Sequence, residues 1–357
     1  MKKLLIHIGT PKTATTTLQE SIFYPLHQKK IINYFGRLQF EENPILIEQF
    51  TDIFKTLSGS RFFNGDMIFN IPIDESLRQE ALFKDEKFFV EYNLKKYRKL
   101  LKENIYNIYS DENLTAPYDF IATLEKIPNR LRRMFVDENT ECKILITIRK
   151  QTETIPSVYA QKYSEYIKYD RYDTPQKLFF AEDNTLIKDE RFLGHDYSYL
   201  IDAYKKEFGE ENVIIAFFEE LKENKFYYHE LVAKILDLDI DLVKEHSTNN
   251  RYRDKAKAKT GQYMVNVPIM GWRQRLMKAI IYNKYSKGLK LLLNKFPLVS
   301  YKLKQLAKPT QSSSEVVPSL TQQEVEIIFN EYLESNHKLH TVHGISKEKL
   351  LQYGYIR

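Results

Sequence analysis

The stretch from His7 to Gln19, HIGTPKTATTTLQ, places a lysine and several threonines where an apolar run ends. A strand that enters a tight turn and then a helix directs backbone N–H groups and the positive end of the helix dipole at one point, which suits a phosphate-like anion. The residue order is not that of the ATP-binding P-loop, in which lysine directly follows glycine. An N-capped helix with a threonine-rich first turn is the alternative. The side chains that can complete an anion cradle are Lys12, Thr13, Thr15, Thr16 and Thr17.

This stretch resembles the 5′-phosphosulfate loop of sulfotransferases that use 3′-phosphoadenosine-5′-phosphosulfate (PAPS), which reads Pro-Lys-Thr/Ser-Gly-Thr-Thr. Ala14 occupies the position of the family glycine. If that position requires a positive φ, alanine costs about 1 kcal/mol there. The resemblance implies that the loop, Ala14 included, binds PAPS and that the product is adenosine 3′,5′-bisphosphate. The matching residues are Pro11, Lys12, Thr13, Thr15 and Thr16.

Arg149 ends a second apolar run, and Ser157 follows eight residues later. The resemblance implies that these two residues bind the 3′-phosphate of PAPS, because the family has arginine and serine at this spacing. A guanidinium group matches phosphate oxygens with a planar fork of donors, and serine adds a hydroxyl donor. The alternative for Arg149 is a surface ion pair. Arg251, in the segment Asn249–Arg253, lies roughly where the family adds a late basic contact to this phosphate.

Sulfuryl transfer needs positioning, charge stabilisation and a base that takes the proton of the acceptor hydroxyl. Asp111 and Glu112 follow a further apolar run, and the carboxyl ends of parallel strands share one edge of a sheet with the loop. Glu112 is the first candidate for the base and matches a Ser-x-Glu pattern of bacterial members; Asp111 is the second. Both could instead cap the next helix. His27 is a further candidate that we expect at the surface.

Two other groups of histidines invite an interpretation. His7 lies inside the first predicted strand, and we expect it to be a hydrogen-bonded core residue. His337, His340 and His343 are closely spaced but have no cysteine or carboxylate beside them, so we predict no metal site.

The elements that must position these residues alternate between short apolar strands and helices. This alternation predicts an α/β, P-loop-like fold of three layers, in which helices flank a central parallel sheet. We expect a single domain over residues 1–357, with an insertion at residues 35–85 on the acceptor side. The stretch Phe218–Leu221 resembles the family's Tyr-Glu-x-Leu motif and is interpreted as structural. Thr310–Ser314 is expected to be a loop. The main predicted strands are Lys3–Ile8, Ile105–Tyr109, Lys143–Ile148 and Asn212–Phe218, and the main helices Thr13–Phe23, Ile155–Tyr169, Tyr197–Phe208, Tyr227–Leu238 and Gln322–Ser335.

The charge is distributed unevenly along the chain. Lys and Arg number 54 against 48 Asp and Glu, yet Lys255–Ser314 contains 13 basic residues and no acidic one. Trp272, Leu276 and Ile280 recur in it at helical spacing, which predicts a basic amphipathic helical segment at 255–314. Such a helix can pack on the core, cover the cofactor, bind an acidic glycan or lie on an anionic membrane.

The resemblance implies a sulfotransferase that moves the sulfuryl group to a hydroxyl acceptor by in-line attack. The pattern around Arg149 and Ser157 is similar to that of bacterial members acting on glycans, so the expected acceptor is a cell-surface or lipid-linked carbohydrate, and no nucleic acid is expected as partner. The single cysteine, Cys142, and the short apolar N-terminal run indicate a cytoplasmic protein, with peripheral contact at the inner face of the membrane as an extension. The competing hypotheses are a kinase or NTPase with Asp111 holding Mg²⁺, and a non-enzymatic membrane or polyanion binder.

Overall fold

A computed structural model describes most of the chain outside two long stretches. The predicted insertion at 35–85, Arg251 and most of the basic segment lie outside the described residues. Those residues are 1–34, 98, 100–115, 124–166, 174–187, 194–247, 263–269 and 311–357.

A five-stranded parallel sheet forms the centre of the fold, and its first strand is its middle strand. Leu4, Leu5, Ile6 and Ile8 are fully buried, as expected for a strand with both faces covered by helices. The predicted α/β class with a central parallel sheet is confirmed. The strands run in the order β2-β3-β1-β4-β5, with β1 Lys2–Gly9, β2 Ile32–Tyr34, β3 Tyr106–Ser110, β4 Thr140–Ile148 and β5 Val213–Phe217.

Helices connect the strands and cover the sheet. The first, α1, has three parts, Thr15–Thr17, a π-helical Leu18–Phe23 and Tyr24–Gln28. It begins two residues later than predicted, because the backbone at Lys12 and Ala14 is left-handed. The others are α2 Lys126–Phe135, α3 Gln151–Tyr166, α4 Pro175–Phe179, α5 Tyr197–Phe208, α6 Phe218–Glu223, α7 Tyr227–Leu236, α8 Ile240–His246, α9 Gln322–Thr341 and α10 Lys347–Tyr353; short 3-10 helices span Glu112–Thr115 and Glu210–Asn212.

Two predictions about the basic segment need correction. Strands β6 (Tyr263–Ile269) and β7 (Gln311–Val317) form an antiparallel pair. Thr310–Ser314 was expected to be a loop, but its residues from Gln311 onward are in β7. The described parts of 255–314 are therefore strand rather than helix, while Trp272, Leu276 and Ile280 lie outside the described residues. Serines can lie in a strand whose backbone is paired along its length. The pairing of β6 with β7 is long-range and cannot be predicted from the local sequence pattern.

Among the helices that the structure describes, none is both long enough and apolar enough to cross a membrane.

Candidate functional site

The turn after β1 is held against the end of β4. The Thr10 N–H group and the Thr10 hydroxyl both donate to the carbonyl of Thr147, at 2.9 and 3.0 Å. The chain then turns through Lys12, with φ 69°, and Ala14, with φ 60° and ψ 31°. The backbone of Ala14 is thus left-handed, and Ala14 carries the cost of about 1 kcal/mol that such a backbone imposes on a residue with a Cβ.

Gly9 is required by close packing at the start of the turn. A Cβ added at Gly9 would lie 2.0 Å from the Thr15 hydroxyl oxygen and 3.1 Å from that of Thr147. The absence of a side chain at Gly9 therefore lets the first turn of α1 approach the strand ends.

The threonines of the loop divide into inward and outward groups. Thr13 is fully buried and its hydroxyl donates to the Thr10 carbonyl at 2.7 Å. Thr15 is 2% exposed, whereas Thr16 is exposed and Thr17 half-buried. The Thr13 hydroxyl is directed into the protein. An anion at the loop could therefore accept a hydrogen bond only from the backbone N–H group of Thr13, not from its hydroxyl.

The first amides of α1 point out of the helix. The Thr17 and Leu18 N–H groups donate to the Ala14 carbonyl at 2.9 and 3.3 Å. The amides of Thr15 and Thr16 precede these bonds and have no partner within the helix. Together with the half-buried Lys12, they form a set of donors suited to an anion.

Arg149 joins the loop to the end of β4. Its Nη1 donates to the Lys12 carbonyl at 3.2 Å, and its guanidinium carbon lies 4.6 Å from the centre of the Phe218 ring. Nη2 and Nε donate to the Glu153 carboxylate at 2.7 and 3.2 Å. Arg149 is 6% exposed. It therefore does form an ion pair, with Glu153, but Arg149 is a buried partner rather than a surface one. The guanidinium group is therefore fixed beside the loop, with its charge paired to the Glu153 carboxylate.

Glu153 is shared by three cations. Besides Arg149, the Lys150 and Lys222 ammonium groups lie 3.2 and 2.8 Å from its carboxylate. Burial opposes ionisation, but hydrogen bonds from Lys222 and Arg149 outweigh it and hold the pKa of Glu153 well below its ordinary value. Neither Glu153 nor Lys222 was predicted. The four-residue spacing of Arg149 and Glu153 is a signal for the first only if the helix begins before Ile155, where it is predicted to begin, and the observed helix begins at Gln151. Lys222 comes from a distant element.

Ser157 lies on α3 one turn beyond Glu153 and is 7% exposed. Residues four apart on a helix share a face, so Ser157 and Glu153 lie on the same side of α3. The carbonyl of Arg149 is fixed separately, because it accepts hydrogen bonds from the hydroxyls of Tyr197 and Thr154.

The segment after β3, which carries both carboxylates, is attached to the strand that leads into the loop. The Asp111 N–H group donates to the His7 carbonyl at 3.1 Å, and the Thr115 hydroxyl donates to the Gly9 carbonyl at 3.4 Å. The 3-10 helix that contains Glu112 is therefore attached to β1. Asp111 is 4% exposed and accepts from the Tyr109 hydroxyl at 3.3 Å, while Glu112 is half-buried. Glu112 is thus the more accessible of the two carboxylates.

The histidine predictions have different outcomes. His7 is a fully buried, hydrogen-bonded core residue, as predicted. His27 is not at the surface: it is 8% exposed and its Nδ1 accepts the Tyr34 N–H group at 3.1 Å. His340 Nδ1 contacts the Ile345 carbonyl and His343 Nε2 the Ser198 hydroxyl. In the part of the chain that the structure describes, no three His, Cys, Asp or Glu side chains come together as metal ligands.

Glu219, in the motif interpreted as structural, supports the strand end that carries Arg149. It is 6% exposed, accepts the Lys150 N–H group at 3.1 Å and accepts the Tyr355 hydroxyl at 3.2 Å. Burial raises the pKa of Glu219. The contact with Tyr355 joins two segments far apart in the chain, which no local pattern could reveal.

No protein-family model and no curated protein matches the chain. Among the solved structures that are similar to it at low level are two sulfotransferases. For a sulfotransferase from Alicyclobacillus acidocaldarius the TM-score is 0.36 at 15% identity, over 70% of this chain and 86% of that one. For sulfotransferase STF9 from Mycobacterium avium the TM-score is 0.36 at 14% identity, over 94% of this chain and 76% of that one. These values are too low to define a family.

Proposed function

We propose that the chain is a sulfotransferase that moves the sulfuryl group of PAPS to a hydroxyl acceptor. The observation that carries this proposal is the hydrogen bond from Arg149 to the Lys12 carbonyl. This bond fixes the loop and a buried guanidinium group side by side, and in the proposal each of them would bind one phosphate group of the ligand. The donors fit such a ligand, because the loop offers amides, hydroxyls and an ammonium group, and the neighbouring strand end offers a guanidinium group.

In this mechanism each residue has a distinct role. Lys12 and the amides of Thr15 and Thr16, with the hydroxyls of Thr16 and Thr17, would bind the 5′-phosphosulfate and stabilise charge on the departing phosphate. Arg149 and Ser157 would bind the 3′-phosphate. PAPS supplies the sulfuryl group, and adenosine 3′,5′-bisphosphate is the leaving group. Glu112 would accept the proton of the acceptor hydroxyl as its oxygen bonds to sulfur and the bond from sulfur to the phosphate oxygen breaks.

The acceptor that we propose is a carbohydrate, either at the cell surface or linked to lipid. Its support is the pattern that Arg149 and Ser157 share with glycan-modifying bacterial sulfotransferases. Arg251 would add a contact to the 3′-phosphate, and the basic segment 255–314 would approach the acceptor or an anionic membrane surface from the cytoplasmic side. The proposal assigns no metal and no nucleic acid.

The kinase hypothesis fits the site less well. It requires Asp111 to hold Mg²⁺, but the Asp111 carboxylate is 4% exposed and engaged by the Tyr109 hydroxyl. The lysine of the loop also stands before Thr13 and Ala14 rather than directly after a glycine.

Calorimetric titration of adenosine 3′,5′-bisphosphate and of Mg²⁺-ATP tests the proposal. We expect the wild-type protein to bind the bisphosphate and Arg149→Ala to bind it about 100-fold more weakly, because a buried charge-assisted contact is removed. Arg132→Ala, at an exposed position on α2, is the matched control and should bind like wild type. Preference for Mg²⁺-ATP would support the kinase, and binding of neither nucleotide would refute the proposal.

The role of Glu112 has a separate test. In Glu112→Gln, bisphosphate affinity should be retained while transfer of sulfuryl groups to an accepted carbohydrate falls by at least about 100-fold. Asp111→Asn, made beside it, shows which carboxylate is the base, since the variant that loses transfer but keeps binding identifies it.

A further inference from the structure

A network of buried hydrogen bonds runs beneath the loop at residues 11–17, here called the anion loop, and joins α1, β3, β1 and β4. The Gln19 amide donates to the Ser110 hydroxyl at 3.0 Å and to the Ser110 carbonyl at 3.1 Å. The Ser110 hydroxyl lies 2.7 Å from His7 Nδ1, and His7 Nε2 lies 3.3 Å from the Thr147 hydroxyl. The Thr147 hydroxyl lies 2.8 Å from that of Thr13, which donates to the Thr10 carbonyl.

The direction of every bond follows from the two ends of this network. The Thr10 carbonyl can only accept, so it takes the one proton of the Thr13 hydroxyl. The Thr147 hydroxyl must then donate to Thr13, and its oxygen must accept from a protonated His7 Nε2. At the other end the Ser110 carbonyl also can only accept, which fixes the orientation of the Gln19 amide.

The His7 imidazole is uncharged in the folded protein. Burial lowers the pKa of His7 to about 3, so the imidazole is neutral at physiological pH. With the proton on Nε2, Nδ1 must accept the Ser110 hydroxyl proton. Each donor hydrogen of this network, from the Gln19 amide to the Thr13 hydroxyl, then has an acceptor. All six residues are at most 5% exposed.

We propose that His7, held as the Nε2–H tautomer, is a positioning residue for the anion loop, acting through Thr147 and Thr13. Thr13, whose hydroxyl donates to the Thr10 carbonyl at the end of the network, lies between Lys12 and Ala14, the two left-handed residues of the loop. A break in the network leaves a buried donor or acceptor unpaired next to this strained turn. The consequence for ligand binding rests on the proposed function, whereas the tautomer does not.

The tautomer is measured directly by nitrogen NMR of protein labelled with ¹⁵N-histidine. The His7 signals are assigned by their loss in His7→Gln. We expect a protonated Nε2 and an unprotonated Nδ1 that accepts a hydrogen bond, unchanged from pH 8 to about pH 5. A proton on Nδ1, or a charged ring, would reverse or break the network and overturn the proposal.

Substitution of Thr147 tests the effect on the loop. Thr147→Val keeps the shape but removes the hydroxyl, and Thr147→Ser keeps the hydroxyl. We expect bisphosphate affinity to fall at least about tenfold in the valine variant and to recover in the serine variant. Thr140→Val, at the other end of β4 with its hydroxyl on Asp137, is the control and should bind like wild type.

The outcomes separate the two proposals. If the wild-type protein binds bisphosphate and a folded Thr147→Val binds it equally well, the positioning role is refuted and the sulfotransferase proposal stands. If the wild-type protein binds no bisphosphate, the proposed function fails. The positioning role is then decided by nitrogen NMR alone, from the tautomer of His7 in the wild-type protein and its change in Thr147→Val. Circular dichroism and thermal unfolding establish that each variant is folded.

Discussion

Ala14 shows how a single residue can carry strain at a binding loop. Its backbone is left-handed, with φ 60°, a conformation that glycine adopts without steric cost. We expect Ala14→Gly to stabilise the protein by about 1 kcal/mol, since relief of the Cβ clash exceeds the added entropy of the unfolded chain. Urea unfolding followed by circular dichroism measures this difference.

Ala160→Gly is the matched control for this prediction. Ala160 lies in α3, where the backbone is right-handed and glycine costs about 1 kcal/mol. The two alanine-to-glycine changes should therefore have opposite signs. Equal destabilisation by both would show that the Ala14 backbone is not strained in solution.

The position of a candidate residue at the end of a strand can be predicted from the sequence, whereas its contacts with distant residues cannot. Lys12, the loop threonines and Arg149 stand at strand ends that apolar runs reveal. The inward direction of the Thr13 hydroxyl depends on Thr147, which is far away in the chain. Lys222 reaches Glu153 in the same way. Such contacts follow from the order of the strands, which local periodicity does not contain.

At the scale of elements, a buried amide cluster fastens α9 to the start of α3. Asn336 accepts from the Gln151 amide at 3.0 Å and donates to the Tyr355 carbonyl at 3.0 Å. Asn336 is 2% exposed, so truncation leaves buried partners unpaired. We expect Asn336→Ala to destabilise the protein by about 2 to 3 kcal/mol in urea unfolding.

Asn330→Ala is its control on the same helix. Asn330 is exposed, and its loss should cost less than about 0.5 kcal/mol. Similar losses in the two variants would mean that the cost comes from helix propensity and not from the buried cluster.

The bounds of an element can be predicted from the sequence where its apolar residues are regularly spaced and a capping residue marks its start. Tyr197–Phe208 was predicted with its observed bounds, and Asp196 caps it by accepting the Tyr199 N–H group. The strand β2 is only Ile32–Tyr34, too short for a period to show. β7 has three serines after its first residue, Gln311, and only its pairing with β6 makes it a strand.

At the scale of the whole molecule, buried neutral histidines make stability depend on pH. Burial lowers the pKa of His7 to about 3 and the pKa values of His27 and His195 to about 4. Between pH 6.5 and pH 4 the unfolded chain binds protons that the folded protein does not, so stability falls as pH falls through this window. We expect a loss on the order of 3 kcal/mol between pH 7.5 and pH 5.5.

Urea unfolding at several pH values measures this loss. His27→Gln should make the dependence shallower, because glutamine can accept the Tyr34 N–H group without titrating. His337→Gln, at an exposed position on α9, should leave the slope unchanged. A stability that is flat between pH 7.5 and pH 5.5 would show that these histidines are not buried as neutral groups.

The central position of β1 also has a consequence for synthesis of the protein. The middle strand of the sheet is made first, but its two partners begin only at Tyr106 and Thr140. At a translation rate of about 5 to 20 residues per second, this apolar strand stays unpaired for roughly 5 to 30 seconds before β3 or β4 has been synthesised. The nascent chain is therefore expected to be a client of ribosome-associated chaperones, which would cover β1 until β3 and β4 emerge.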